Sequence, residues 1–186
     1  MATGVRSGGA RRLLMAAAAA VTALTAGAMQ APEAAAQTAN RVEAFRDWSV
    51  FTADDNGPVC WVATEPKSSE ARRGGQAVRV RRGDIYMMVA VRPEQGVANE
   101  VSVVAGYPYR GGSDVEARIG DDRFELFTEG EHAWPRPEDD GRLIESMKAG
   151  VTAVVTGVSA RGTTTTDRFS LLGFTDALTA AQARCG

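Results

Sequence analysis

Cys60 and Cys185 are the only cysteines in this chain of 186 residues, and the segment in front of them decides what they can do. Arg6, Arg11 and Arg12 make a basic start. An apolar stretch runs from Leu13 to about Met29, and Ala34-Ala35-Ala36 has the small-x-small form of a cleavage site. Residues 1–36 therefore read as a secretory signal peptide, and the mature chain is expected to begin at Gln37. Export places the two thiols in an oxidising compartment, where a lone pair forms a disulfide. A Cys60–Cys185 bond requires a fold that brings the penultimate residue within about 7 Å (Cα to Cα) of an early strand.

The remaining length of about 150 residues suits one domain with its own core. The leader holds three of the 21 basic residues and one of the 23 acidic ones, so the mature chain carries 18 against 22, a net charge of about −4. A mildly acidic domain argues against nucleic-acid binding, which draws affinity from clustered Lys and Arg. Arg72, Arg73, Arg79, Arg81 and Arg82 are a local exception. They read as a solvated loop and strand face, with an anion or lipid-headgroup site as the alternative. No apolar run after the leader is long enough to span a bilayer, so no membrane span is expected after cleavage. The leader has no cysteine for lipid attachment.

Residues 37–44 are small and polar and read as a flexible lead-in to a domain over 45–186. Short β-like runs then alternate with turn signals. Trp48 to Thr52 and Val59 to Thr64 flank Asp54-Asp55-Asn56-Gly57-Pro58, a hairpin pattern. Pro66 to Gly75 reads as a loop, and Gln76 to Arg82 as a half-buried strand with alternating apolar and basic residues. Further strands are expected at Ile85 to Val91, Glu100 to Ala105, Val115 to Ile119 and Arg123 to Thr128. Val151 to Val158 and Thr164 to Leu171 make a hairpin around Ala160-Arg161-Gly162. Acidic starts and terminal signals predict helices over Arg142 to Ala149 and Asp176 to Arg184, the second capped by Thr175. Together these predict a mainly β chain: a single-domain β-sandwich or partly open barrel with two short helices, one at the C-terminus.

Several blocks in order carry a resemblance. Asp47-Trp48-Ser49-Val50 precedes Val59-Cys60-Trp61-Val62, and Gly106-Tyr107-Pro108 follows. Then come Ala133-Trp134, Leu143 to Gly150, Gly157 to Thr163, Thr166 to Phe174 and a last cysteine. This order resembles the invasion-associated locus B (IalB) family of exported bacterial proteins across most of Asp47 to Cys185. The tract Tyr86-Met87-Met88 is richer in methionine than the family pattern. The resemblance implies a periplasmic, secreted or outer-surface-associated location and the fold. It supplies no catalytic residues.

Reactive side chains offer little chemistry. His132 is the only histidine, and it is expected as a turn residue before a buried Trp134. The acidic pairs lack the alternating spacing of a calcium loop, and no serine sits in a Gly-x-Ser-x-Gly elbow. No catalytic residue, metal site or cofactor is therefore assigned. Trp48, Trp61 and Trp134 are expected in the core. Candidate recognition residues are Tyr107 and Tyr109 in a glycine-rich loop, and the polar patch Arg161, Thr163 and Asp167. Asp167 is expected to pair with Arg161 or Arg168. The leading functional reading is a non-enzymatic protein acting through contacts with an envelope or host-surface protein. The alternative is a glycan-binding module using exposed tyrosines. An uncharacterised hydrolase is third.

Overall fold

The computed structural model describes residues 40–186. The expected signal peptide, and residues 37–39 of the expected lead-in, lie outside the described residues. Within them run strands β1 (Asn40–Phe45), β2 (Trp48–Asp54), β3 (Pro58–Thr64), β4 (Pro66–Arg73), β5 (Gln76–Ala77) and β6 (Tyr86–Arg92). They continue as β7 (Val97–Val104), β8 (Val115–Ile119), β9 (Asp122–Glu129), β10 (His132–Pro135), β11 (Thr152–Val158) and β12 (Thr164–Ser170). Helix α1 (Asp140–Ala149) precedes β11, and α2 (Phe174–Cys185) follows β12.

The strands form one 12-stranded sheet in the order β1-β2-β3-β6-β7-β10-β9-β8-β11-β12-β4-β5. Neighbours pair antiparallel throughout. Glu65 alone separates β3 from β4 in the chain, yet the two strands lie far apart in the sheet order. A one-residue link cannot span that distance across a flat sheet. The sheet therefore curls until its two halves meet. The Trp48 indole N–H donates to the Ser170 carbonyl at 2.9 Å, joining the first residue of β2 to the last of β12. The sheet stays open at its two end strands. β5 is two residues long, and β1 carries a bulge between Arg41 and Glu43, both features that discourage edge-to-edge pairing.

Period-two alternation turns one residue of each pair inward. Trp48, Val50, Cys60, Val62, Met87, Val89 and Val91 line one half of the core, and Val115, Ala117, Phe124, Leu126 and Phe169 the other. Helix α2 lies on this core with Phe174, Ala177, Leu178, Ala181 and Cys185 on its buried stripe, the spacing of an amphipathic helix. The Phe174 ring meets Trp48 at 4.9 Å between centroids. Full burial of a Phe or Leu is worth about 1.5–3 kcal/mol, so Phe174 and Leu178 fix the helix. Cys60 and Cys185 are bonded, with their Cα atoms 5.8 Å apart. No described helix is long and apolar enough to cross a membrane.

The mainly β fold with two helices, one at the C-terminus, is as the sequence predicts. Local boundaries differ for physical reasons. From Asn40 on, the expected lead-in is strand β1, because its backbone pairs with β2 and Glu43 bonds Arg184 at 2.8 Å. The expected loop Pro66 to Gly75 is mostly strand β4. Its polar composition hides the strand because Ser69 faces a buried carboxylate rather than an apolar core. The expected strand Gln76 to Arg82 shrinks to β5. Residues 78–84 leave the sheet as an irregular strap, since Arg82 turns inward and Gly83 N–H donates to Gly106 O at 2.8 Å. Helix α2 begins at Phe174, with no side-chain cap from Thr175.

Candidate functional site

Thr163, Thr165, Asp167 and Phe169 share the inward face of β12 and the turn before it. Three of the four are polar, so this part of the interior must satisfy its own hydrogen bonds. Arg82 reaches in from the strap and grips Asp167 in a two-pronged pair, each prong 2.7 Å long. The Ser69 hydroxyl donates to Asp167 Oδ1 at 2.6 Å, and Arg82 Nε donates to the Ala105 carbonyl at 2.8 Å. The two side chains are only 7% and 4% exposed. Arg82 also lies 4.9 Å from the centroid of the Tyr107 ring, a cation–π contact. The Tyr107 hydroxyl is 2.5 Å from Thr165 Oγ1.

Tyr109 packs edge-on against Tyr107 at 5.3 Å. Burial pushes both phenols above their ordinary pKa, and for Tyr109 the neighbouring Tyr107 adds to the shift. Thr163 Oγ1 accepts from Arg73 Nε at 3.1 Å and Nη2 at 2.7 Å. Four of the five expected recognition residues are thus brought together, but as an internal polar network. Tyr109 is 7% exposed and Tyr107 half-buried. A sugar-stacking platform on these two tyrosines needs the exposure they lack. Arg161 alone stands out in solvent, and Asp167 pairs with Arg82 rather than with Arg161 or Arg168.

A larger feature lies on the opposite, outward face of β2, β3 and β6. Residues one step out of phase with the core point there, and several are apolar. Ser49, Ala63 and Met88 align across the three strands, with Phe51 opposite Trp61 beside them. The Phe51 and Trp61 rings stack at 5.4 Å with 9° between their planes. These residues floor a groove of about 910 Å³, walled by the β1–β2 turn, Glu65 to Lys67, and the end of the strap at Gly83 to Ile85. Lys67 bonds Asp47 at its rim at 2.5 Å, and that hydrogen bond holds the Asp47 carboxyl below its ordinary pKa. Among the described residues, Arg41, Arg46, Glu65 and Asp84 line the same groove without ion-pair partners.

From sequence alone Trp61 is expected in the core, whereas it stacks on Phe51 on the outward face. The signal was present: Trp48, Val50, Phe51, Trp61 and Val62 leave β2 and β3 apolar on both faces, more than one core requires. Trp134 is likewise half-buried on an outward face, stacked between Phe127 at 5.7 Å and His132 at 5.3 Å. His132 sits in β10 rather than in a turn. Two smaller hollows of about 430 and 320 Å³ share Glu100 and Asp140. Burial raises the Asp140 carboxyl pKa, and the charge of Glu100 adds to that. Among the described residues no group of three His, Cys, Asp or Glu side chains is placed to share a metal ion.

The family model for the invasion associated locus B (IalB) protein matches residues 48–182. The chain belongs to the IalB family. The match runs from the first residue of β2 into the last turns of α2, so the family pattern spans nearly the whole curled sheet. Among solved structures, this IalB-family chain is similar to the crystal structure of invasion associated protein B from Bartonella henselae, with a TM-score of 0.54 and 14% identity. The likeness covers 76% of this chain and 95% of that one, and at such identity it shows the shared fold alone. A search of curated proteins finds no match.

Proposed function

We propose that this IalB-family chain is an exported, non-enzymatic protein of the bacterial periplasm or outer surface that works by holding another protein's surface in the β2–β3–β6 groove. The observation that carries the reading is the stacked Phe51–Trp61 pair on the groove floor, with unpaired charges of both signs around it. Paired aromatics ringed by polar groups are the composition of interface hot spots. A protein surface supplies both the apolar anchor and the opposite charges that Arg46 and Glu65 would take. The Cys60–Cys185 bond supports export, since disulfides persist in oxidising compartments.

A photoreactive amino acid placed at Ser49 on the groove floor tests the reading in living cells, with Arg118 on the distant strand β8 as control. A discrete protein adduct from position 49 alone is expected. Adducts to glycan only, or identical adducts from both positions, would overturn it.

A further inference from the structure

The fold gathers arginines that are scattered in sequence at one end of the molecule. The turn between β11 and β12, residues 159–163, is the centre. Arg73 reaches it from β4 and bonds Thr163. Arg110 reaches it from the loop before β8: its backbone N–H donates to Val158 O at 2.8 Å, and a Cβ added at Gly162 would lie 3.1 Å from its guanidinium. Arg161 belongs to the turn itself and is exposed. The strap runs beside this end. Val78 N–H donates to Ala71 O at 2.9 Å, and Arg82 is held by Asp167, so Arg79 and Arg81 are pinned between two fixed points and face solvent.

Among the described residues, Arg73, Arg79, Arg81, Arg110 and Arg161 have no carboxylate partner. The acids around them are Glu129 and Glu131, exposed on the turn that bonds Ala105 and Tyr109, and a few on the same segments. Glu70 lies 3.9 Å from Arg72, and Asp84 and Asp114 are exposed at the segment ends. This concentration of positive charge stands out in a chain that is acidic overall. Between Arg79 and Arg81 sits Val80, an apolar side chain left 40% exposed on the irregular strap. An apolar residue flanked by two unpaired guanidiniums matches the boundary of a lipid layer, where phosphates meet acyl chains.

We infer that this arginine end docks the protein peripherally on an anionic phospholipid surface, with Arg79 and Arg81 on headgroup phosphates and Val80 seated at the acyl boundary. None of Arg79, Val80 and Arg81 lines the Phe51–Trp61 groove, whose wall begins at Gly83 farther along the same strap, and the inference goes beyond the protein-contact reading. An arginine near an anionic bilayer contributes enough that losing one weakens binding about fivefold.

The test is co-sedimentation of the disulfide-bonded protein with vesicles of phosphatidylcholine containing phosphatidylglycerol, against phosphatidylcholine alone. The same measurement is made on Arg79→Gln/Arg81→Gln and on Val80→Ser. The double variant shares every other segment with the parent, so the difference between them reads the strap alone. Near-UV circular dichroism confirms an unchanged fold. The expected result is binding to the anionic vesicles, about 25-fold weaker in the double variant, weaker in Val80→Ser, and weakened by added salt. Equal binding by parent and double variant would overturn the inference. So would strong capture by a soluble sulfated polysaccharide that anionic vesicles do not displace, which would mark a glycan surface instead.

Discussion

Arg82 and Asp167 join through two parallel hydrogen bonds of 2.7 Å, although 85 residues separate them in sequence. The pair ties the strap to β12 and closes the polar end of the curled sheet. Removing one partner of a buried pair strands the other charge, at a cost of about 3–5 kcal/mol. Asp167→Ala and Arg82→Ala are therefore each expected to lose stability in that range by urea unfolding. Replacing both, as Arg82→Met/Asp167→Leu, is expected to cost less than either single change. Single losses under about 1 kcal/mol would mean that the pair is not buried in solution.

Gly106 and Gly112 separate backbone strain from crowding. Both have left-handed backbone, with φ of +67° and +70°. A Cβ on Gly106 would meet Gly83 O at 2.5 Å, whereas one on Gly112 meets nothing within 4 Å. Gly112→Ala is expected to cost only the left-handed penalty of about 1–2 kcal/mol. Gly106→Ala adds an overpacking cost of about 1–3 kcal/mol. Thermal unfolding of the two variants side by side reads the difference, and equal midpoints would disprove the close Gly83–Gly106 approach.

Tyr109 should make stability fall at alkaline pH. Its folded pKa is raised, chiefly by burial. The native chain thus keeps a proton that the unfolded chain releases near pH 10. Its contribution is whole below about pH 10 and is lost as the pH rises from there toward the folded value. At pH 11 the parent is expected to have lost about 1.4 kcal/mol more than Tyr109→Phe, relative to each protein at pH 8. Tyr107, raised in the same direction, leaves a residual loss in the variant. Parallel stability curves for parent and variant would refute this.

These networks also show where the sequence was readable. Strands with one apolar face, such as Val115–Ile119, and helices with an apolar stripe, such as α2, are legible because a single residue period governs them. β4 was not, because its inward neighbour is Asp167 and its composition answers to that charge instead of to a core. The Arg82–Asp167 pair was also hidden, since nothing local links residues that far apart; Arg161 and Arg168 were closer in sequence but point outward. Tyr107 with Tyr109, and Thr163 with Asp167, read from sequence as two separate candidate surfaces, because nothing local shows that Arg82 joins Tyr107 to Asp167 in the interior. The Phe51–Trp61 groove was hidden for the opposite reason. Its aromatics look like core residues until the strand phase is known.

The Cys60–Cys185 bond should matter more than its two residues suggest. It joins positions 125 apart, and its Cα atoms sit 5.8 Å from each other. Closing a loop of that length restricts the unfolded chain by about 4–5 kcal/mol in the chain-entropy account, comparable to the net stability of many domains. The bond also anchors the last turn of α2, whose stripe thins to Ala177 and Ala181 beyond Phe174 and Leu178. Reduction should therefore act unevenly. Hydrogen exchange is expected to rise first over Ala181 to Cys185, while Phe174, held by Trp48, stays protected. The global unfolding midpoint should drop by about 8–20 °C, at about 2–4 °C per kcal/mol for a domain of about 150 residues. Cys60→Ser/Cys185→Ser should reproduce both effects without reductant. An unchanged midpoint in that variant would show that burial of Phe174 and Leu178 holds the helix without help from the bond.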